Sequence, residues 1–152
     1  MPKINKEYKL VIIGEGPKKD ELIRLAKSNN SFSRITFLDY IKHDKLPAYY
    51  KKSMMFVLPS LNEGMSNTVL EAMSCGLPII TTNTGGTNEL IRQNGLVIEK
   101  ESSISIANAV NTLIENDKLR EELSRNSREL AKKKSWKTTA VEYLKIYRDA
   151  KP

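Results

Sequence analysis

Short apolar runs alternate with helical patterns along this chain. "KLVIIG" (Lys9–Gly14) is a β-branched run closed by glycine and reads as a buried strand. "PKKDELIRLAKSNN" follows as a helix, with Pro17 suited to its first turn and Leu22, Ile23 and Leu25 as its apolar face. "RITFL" predicts a second strand, "KLPAYYKKS" a short helix, and "MMFVLP" a third strand stopped by Pro59. "SNTVLEAMSC" predicts a helix that ends at Gly76, with Pro78 just beyond. "PIITT" is then a fourth strand, "TNELIRQ" a short helix and "GLVIE" a fifth strand. From Ser102 the pattern is helical to the end, and in the last segment Trp136, Ala140, Tyr143, Leu144 and Tyr147 share one face.

Strands that are apolar at nearly every position need cover on both faces, which a parallel sheet between two helical layers provides. The expected fold is α/β: a Rossmann-like doubly wound parallel sheet followed by C-terminal helices. In such sheets ligands bind beyond the carboxyl ends of the strands. "GEGP" after the first strand, "SLNEGMSN" after the third and "NTGG" after the fourth all fall on that edge, and all carry glycine.

Composition narrows the classes. The 152 residues are one domain's worth of chain, 39% hydrophobic and 28% charged, as in an ordinary soluble protein. No apolar run approaches the roughly 20 residues of a membrane span, and "MPKINKEYK" has no export-signal core. Cys75 is the sole cysteine, so an internal disulfide is excluded and a reducing cytosol fits; at a packed helix end it reads as a buried, inert thiol. The net charge of +7 favours polyanionic or phosphorylated partners. Much of the excess lies in "RNSRELAKKKSWK", which reads as a solvated helix face; it carries no aromatic platform for bases, so no nucleic-acid partner is expected.

The densest chemistry lies in "NEGMSNTVLEAMSCGLPII" (Asn62–Ile80). Glu63 and Gly64 belong to the loop at a strand's carboxyl end, and Glu71 to the flank of the following helix. Gly64 lets a ligand approach the backbone, and Ser66 or Asn67 is placed to cap the helix. The amides of that first turn form an anion site. A carboxylate can accept from both hydroxyls of a vicinal diol, such as a ribose or a hexose offers. The two glutamates and the helix start therefore match a nucleotide-sugar end to end. On spacing alone a second reading stands beside it: an exposed loop glutamate, a plain turn and cap, and a surface helix residue.

"PSLNEGMSNTVLEAMSCGLPIITTNTGGTNEL" resembles the signature of the family-4, group 1 retaining glycosyltransferases of GT-B fold. The E-x7-E motif matches Glu63 and Glu71, G-x-P matches Gly76–Pro78, and T-x-x-G-G-x-x-E matches Thr82–Glu89. "LVIIGEGPKKDEL", "ITFLDYIKHDKLPAYYKKS", "NGLVIE" and the Trp-bearing terminal helix also fit, so the likeness covers nearly the whole chain. The resemblance implies that residues 1–152 are most of a C-terminal, donor-binding domain. The acceptor-binding N-terminal domain and this domain's first strand are expected to be missing.

The same resemblance implies roles for the matching positions. Glu71 takes the ribose hydroxyls, and Glu63 stands by the donor sugar and the reacting centre as the catalytic candidate. The segment Gly64, Met65, Ser66, Asn67 and Thr68 holds the diphosphate and sugar. Gly14 and Gly16 belong to the donor site, and Leu38, Tyr40 and Ile41 lie near the base, although Asp39 stands where the family often has glycine. No cofactor and no metal is implied, only a nucleotide-sugar substrate, UDP- or GDP-linked. The implied reaction is hexosyl transfer to a glycan or lipid-linked acceptor, by a cytoplasmic enzyme that contacts the inner face of the membrane peripherally. The fragment alone is expected to be inactive and to bind its missing half, or itself, through the terminal helix.

Two other classes are open to the sequence. "GEGPKK" after a strand, with Asp39 ending the next, is a partial dinucleotide (NAD-type) fingerprint in which Lys19 replaces the third glycine. The basic C-terminal helices alternatively make a non-enzymatic interaction module. Lys18 and Lys19, cations in a helix's first turn, either face a phosphate or point to water. His43 matches no catalytic position and is expected to be solvent-exposed.

Overall fold

A computed structural model describes residues 1–134 and 136–150, with Trp136 as backbone only. Five strands form where the apolar runs predict them: β1 (Leu10–Ile13), β2 (Ile35–Leu38), β3 (Phe56–Leu58), β4 (Ile79–Thr82) and β5 (Gly95–Ile98). Between them lie α1 (Lys19–Ser28), α2 (Leu46–Lys52), α3 (Asn67–Ser74) and α4 (Thr87–Leu90). Three longer helices follow: α5 (Ser103–Glu115), α6 (Asp117–Lys133) and α7 (Trp136–Asp149).

All strand pairs are parallel, in two hydrogen-bonded sets. β1 pairs with β2 from Leu10↔Ile35 to Ile13↔Leu38. β3, β4 and β5 form the other set, with Ile79 opposite both Phe56 and Gly95. β4 is central and buried at every position, as a run without polar alternation requires. The core lies around it. On one side Ile79 packs with Val69, Ala72 and Met73 of α3, and on the other Ile80 packs with Val110 and Leu113 of α5 and Leu123 of α6.

The β1–β2 set is barely covered. Val11 is 44% exposed and Ile13 36%, values foreign to a central parallel strand. Leu22 and Leu25, expected on the apolar face of α1, are exposed as well; Ala26 is the residue of that helix that is buried. Pro17 lies before the N-cap Lys18, so it precedes the first turn expected to hold it.

The end of α3 follows the sequence signal. Gly76 takes φ +77, its amide donates to the Met73 carbonyl at 2.9 Å and that of Leu77 to the Ala72 carbonyl at 3.0 Å, the paired hydrogen bonds of a left-handed helix stop. Cys75, expected to be buried, is only half-buried at this cap. α6 closes over the same end. The Arg128 guanidinium donates to the Ser74 carbonyl and Ser124 Oγ to the Gly76 carbonyl, so part of the basic run is a clamp rather than a solvated face. α7 is largely exposed among the described residues: Ala140, Tyr143, Leu144 and Tyr147 of the expected apolar face all meet solvent, while the Trp136 side chain lies outside the described residues.

Leu113→Ala and Leu25→Ala remove the same atoms from opposite settings, one fully buried and one 54% exposed. Chemical denaturation is expected to show a loss of about 2–5 kcal/mol for the first and less than about 1 kcal/mol for the second. Equal losses contradict a core confined to the β3–β5 side.

Candidate functional site

The site forms at the carboxyl edge of β3 and β4, where threonines of β4 hold the loops. Thr81 Oγ1 donates to the Leu58 carbonyl at 2.9 Å, and Thr82 Oγ1 donates to the Ser60 carbonyl. Thr87 Oγ1 donates to the Thr82 carbonyl at 2.9 Å and accepts from the Thr84 amide at 2.8 Å, closing the turn after β4. These bonds press the "TGG" turn onto the Glu63–Gly64 backbone. A Cβ on Gly86 would fall 2.3 Å from the Gly64 carbonyl oxygen, and one on Gly85 3.3 Å from that of Glu63. Only glycine permits such an approach at position 86.

Glu63 is half-buried, and its Oε1 accepts from Ser60 Oγ at 3.1 Å. Glu63, Gly64 and Ser66 share one small cavity with Thr84 and Gly86. Ser66 is the N-cap residue of α3, yet its hydroxyl makes no capping bond and instead lies 2.9 Å from Thr68 Oγ1. That corrects the expected side-chain cap: among the described residues the first-turn amides of Asn67, Thr68 and Val69 have no protein acceptor. Gly64, Met65, Asn67 and Thr68 are exposed around them.

Glu71 faces the other way, toward α2 and the 3₁₀ turn His43–Lys45 that leads into it. Its Oε2 accepts from the Tyr50 hydroxyl at 3.1 Å, and its Oε1 lies 3.0 Å from His43 Nε2. A carboxylate only accepts, so that nitrogen carries the proton. Burial, then the Glu71 charge and hydrogen bond, push the Tyr50 phenol well above the ordinary tyrosine range, so the hydroxyl stays a donor. His43 is exposed, as expected, but not idle. Neither partner was found from sequence, because they sit 21 and 28 residues from Glu71 and meet it only through the fold.

The loops after β1 and β2 form a separate group. The Gly14 amide, at φ +135, donates to the Leu38 carbonyl at 3.0 Å, and the Tyr40 amide donates to Glu15 Oε1 at 3.4 Å. Tyr40 and Gly16 are exposed, and Leu38 and Ile41 half-buried. Lys19 pairs with Asp39 and Lys18 with Glu21 at 2.7 Å, so each of these cations has a carboxylate partner. Asp39, which a dinucleotide site needs for ribose, is engaged by the very residue that replaces the third glycine. Among the described residues no hydrogen bond joins this group to the Glu63–Thr68 loop.

Comparison with known proteins settles the family. The family described as "Glycosyl transferases group 1" matches residues 1–130, and the chain belongs to it. An uncharacterized glycosyltransferase of Methanocaldococcus jannaschii is 30% identical over 145 residues, 94% of this chain and 41% of that protein. The N-acetylgalactosamine-N,N'-diacetylbacillosaminyl-diphospho-undecaprenol 4-alpha-N-acetylgalactosaminyltransferase of Campylobacter jejuni is 32% identical over 152 residues, 97% of this chain and 39% of that enzyme. Among solved structures, Anabaena HepE in complex with UDP superposes with a TM-score of 0.88 at 20% identity, over 99% of this chain and 43% of HepE. The chain is thus a glycosyltransferase-family domain with the α/β fold of one half of a GT-B enzyme, spanning about two fifths of the length of these relatives.

The contact at Gly86 is testable with its neighbour as control. Gly86→Ala drives a methyl into the Gly64 backbone, and a thermal melt is expected to show a loss of about 1–3 kcal/mol. Gly64→Ala meets nothing within 4 Å and is expected to stay within about 0.5 kcal/mol. Equal melts contradict the close approach.

Proposed function

We propose that this chain is the donor-binding part of a retaining hexosyltransferase that takes sugar from a nucleoside diphosphate. The observation that carries the reading is the start of α3: unpaired first-turn amides at a strand's carboxyl edge, flanked by Glu63 on one side and Glu71 on the other. Amides and helix dipole together favour a diphosphate there, and Glu71 is then the acceptor for both ribose hydroxyls. Glu63, held by Ser60, orients the hexose beside the reacting bond. As the sugar leaves, charge grows on the diphosphate, and the fixed amides stabilise it without reorganising. Gly64 to Thr68 line the diphosphate and sugar, Gly14 and Gly16 close the far side, and Leu38, Tyr40 and Ile41 meet the base.

Structural neighbours support a uridine nucleotide: HepE forms complexes with UDP and with UDP-glucose. The Campylobacter relative's name places a diphospho-undecaprenol on its acceptor side, which favours a lipid-linked or glycan acceptor and peripheral contact with a membrane. Among the described residues no helix is long and apolar enough to cross one.

Transfer itself needs more than this chain. A further parallel strand with its crossover helix would give the two sheets a shared neighbour and cover the exposed Val11 and Ile13. A second domain facing the carboxyl edge would supply the acceptor and cover Tyr143, Leu144 and Tyr147 of α7. Alone, the chain is expected to bind donor without transferring sugar. Self-association through α7 is the competing outcome, readable by light scattering.

Titration calorimetry with UDP, GDP and ADP, and with NAD as control, tests the reading. One nucleoside diphosphate is expected to bind, and Glu71→Ala to weaken it at least ~10-fold through loss of charge-assisted hydrogen bonds. Binding of NAD that survives Glu71→Ala, or no saturable binding of any diphosphate, contradicts the proposal.

A further inference from the structure

We infer that Tyr50 and His43 are positioning residues that hold the Glu71 carboxylate ready to receive a ribose diol. The inference rests on the donor-site reading above and extends it to residues outside the Glu63–Glu71 segment. A carboxylate has about four lone-pair positions, two on each oxygen. Tyr50 takes one on Oε2 at 3.1 Å and His43 one on Oε1 at 3.0 Å. The division is even: one position stays open on each oxygen, which is what two adjacent hydroxyls require.

The two donors differ in how firmly they hold. Tyr50 sits half-buried on α2, its ring edge-on to Phe56 with centroids 5.8 Å apart and planes at 70°, so the hydroxyl is fixed by packing. Burial and the adjacent carboxylate keep the phenol protonated, so it donates and does not compete for the diol. His43, at the head of the 3₁₀ turn, is 81% exposed, and its ring is held by the bond to Glu71. Glu71 itself is 28% exposed, enough for a ligand to reach its open side. A glutamate on a helix flank otherwise samples several rotamers, and freezing it on binding weakens affinity. With one donor on each oxygen, that ordering is complete before the nucleotide arrives.

The arrangement also bears on specificity. A diol-bearing sugar fills both open positions, whereas a dideoxy sugar offers neither acceptor a donor. Discrimination between the two forms therefore reads the orientation of the carboxylate and not merely the stability of the fold.

The test is the affinity ratio of UDP to 2′,3′-dideoxy-UDP, and of GDP to 2′,3′-dideoxy-GDP, measured by calorimetry on wild type and four variants. Wild type is expected to prefer the ribo form at least ~10-fold, and Glu71→Ala to lose the preference. Tyr50→Phe, which keeps the ring on Phe56, and His43→Ala at an exposed position are each expected to cut the ratio ~3-fold or more. His43→Gln, whose side-chain amide restores an N–H donor, is expected to recover part of it. Nitrogen chemical shifts of the His43 ring in the free protein should report the Nε2–H tautomer, and the other tautomer overturns the geometry.

Ratios unchanged in both single variants, with Glu71→Ala still abolishing the preference, overturn this inference and leave the donor site standing. A preference that survives Glu71→Ala overturns both.

Discussion

The buried threonine hydroxyls of β4 are the bonds on which the site depends. Thr82 is fully buried, and its hydroxyl donates to the Ser60 carbonyl in the neighbouring loop; Thr87 closes back onto the Thr82 carbonyl. A buried hydroxyl without a partner is costly, so the loop geometry is specified by the core and not by solvent. The result is a turn driven against its neighbour at Gly86, tight enough to exclude any side chain. The loop carrying Glu63 and Gly64 is consequently a fixed surface, although it is a loop.

α3 conveys that rigidity to Glu71. Its N-terminus sits in the fixed loop, and α6 holds its C-terminus through Arg128 and Ser124. A cation at the last carbonyls also complements the helix dipole, leaving the positive end turned to the open edge. One short helix thus presents an anion-favouring terminus and, on its flank, a carboxylate set by donors from α2 and its 3₁₀ lead-in. In the proposed reading, the diphosphate falls to the N-terminus and the ribose to the flank of this one element.

Much of this was legible in the sequence. The five strands follow from runs with no polar alternation, and the stop at Gly76 from a glycine that alone tolerates φ +77 there. The placement of Glu63 and Gly64 in a loop and of Glu71 on a helix flank also follows from local spacing, whereas their reading as a donor site came from the family signature. What escaped notice is non-local. Tyr50 and His43 reach Glu71 across the packing of α2 beside α3, which no local period encodes. Leu22 and Leu25 look like a core face, but their exposure is set by how little covers the β1–β2 pair. Ser66 has the residue type of a cap and a rotamer that turns to Thr68 instead, and propensity does not choose between the two.

The most direct test of the central claim is a crystal structure of the chain soaked with UDP. The account predicts the diphosphate on the amides of Asn67, Thr68 and Val69 with both ribose hydroxyls on Glu71. Nucleotide seated at the Gly14–Gly16 turn with its ribose on Asp39 would contradict it.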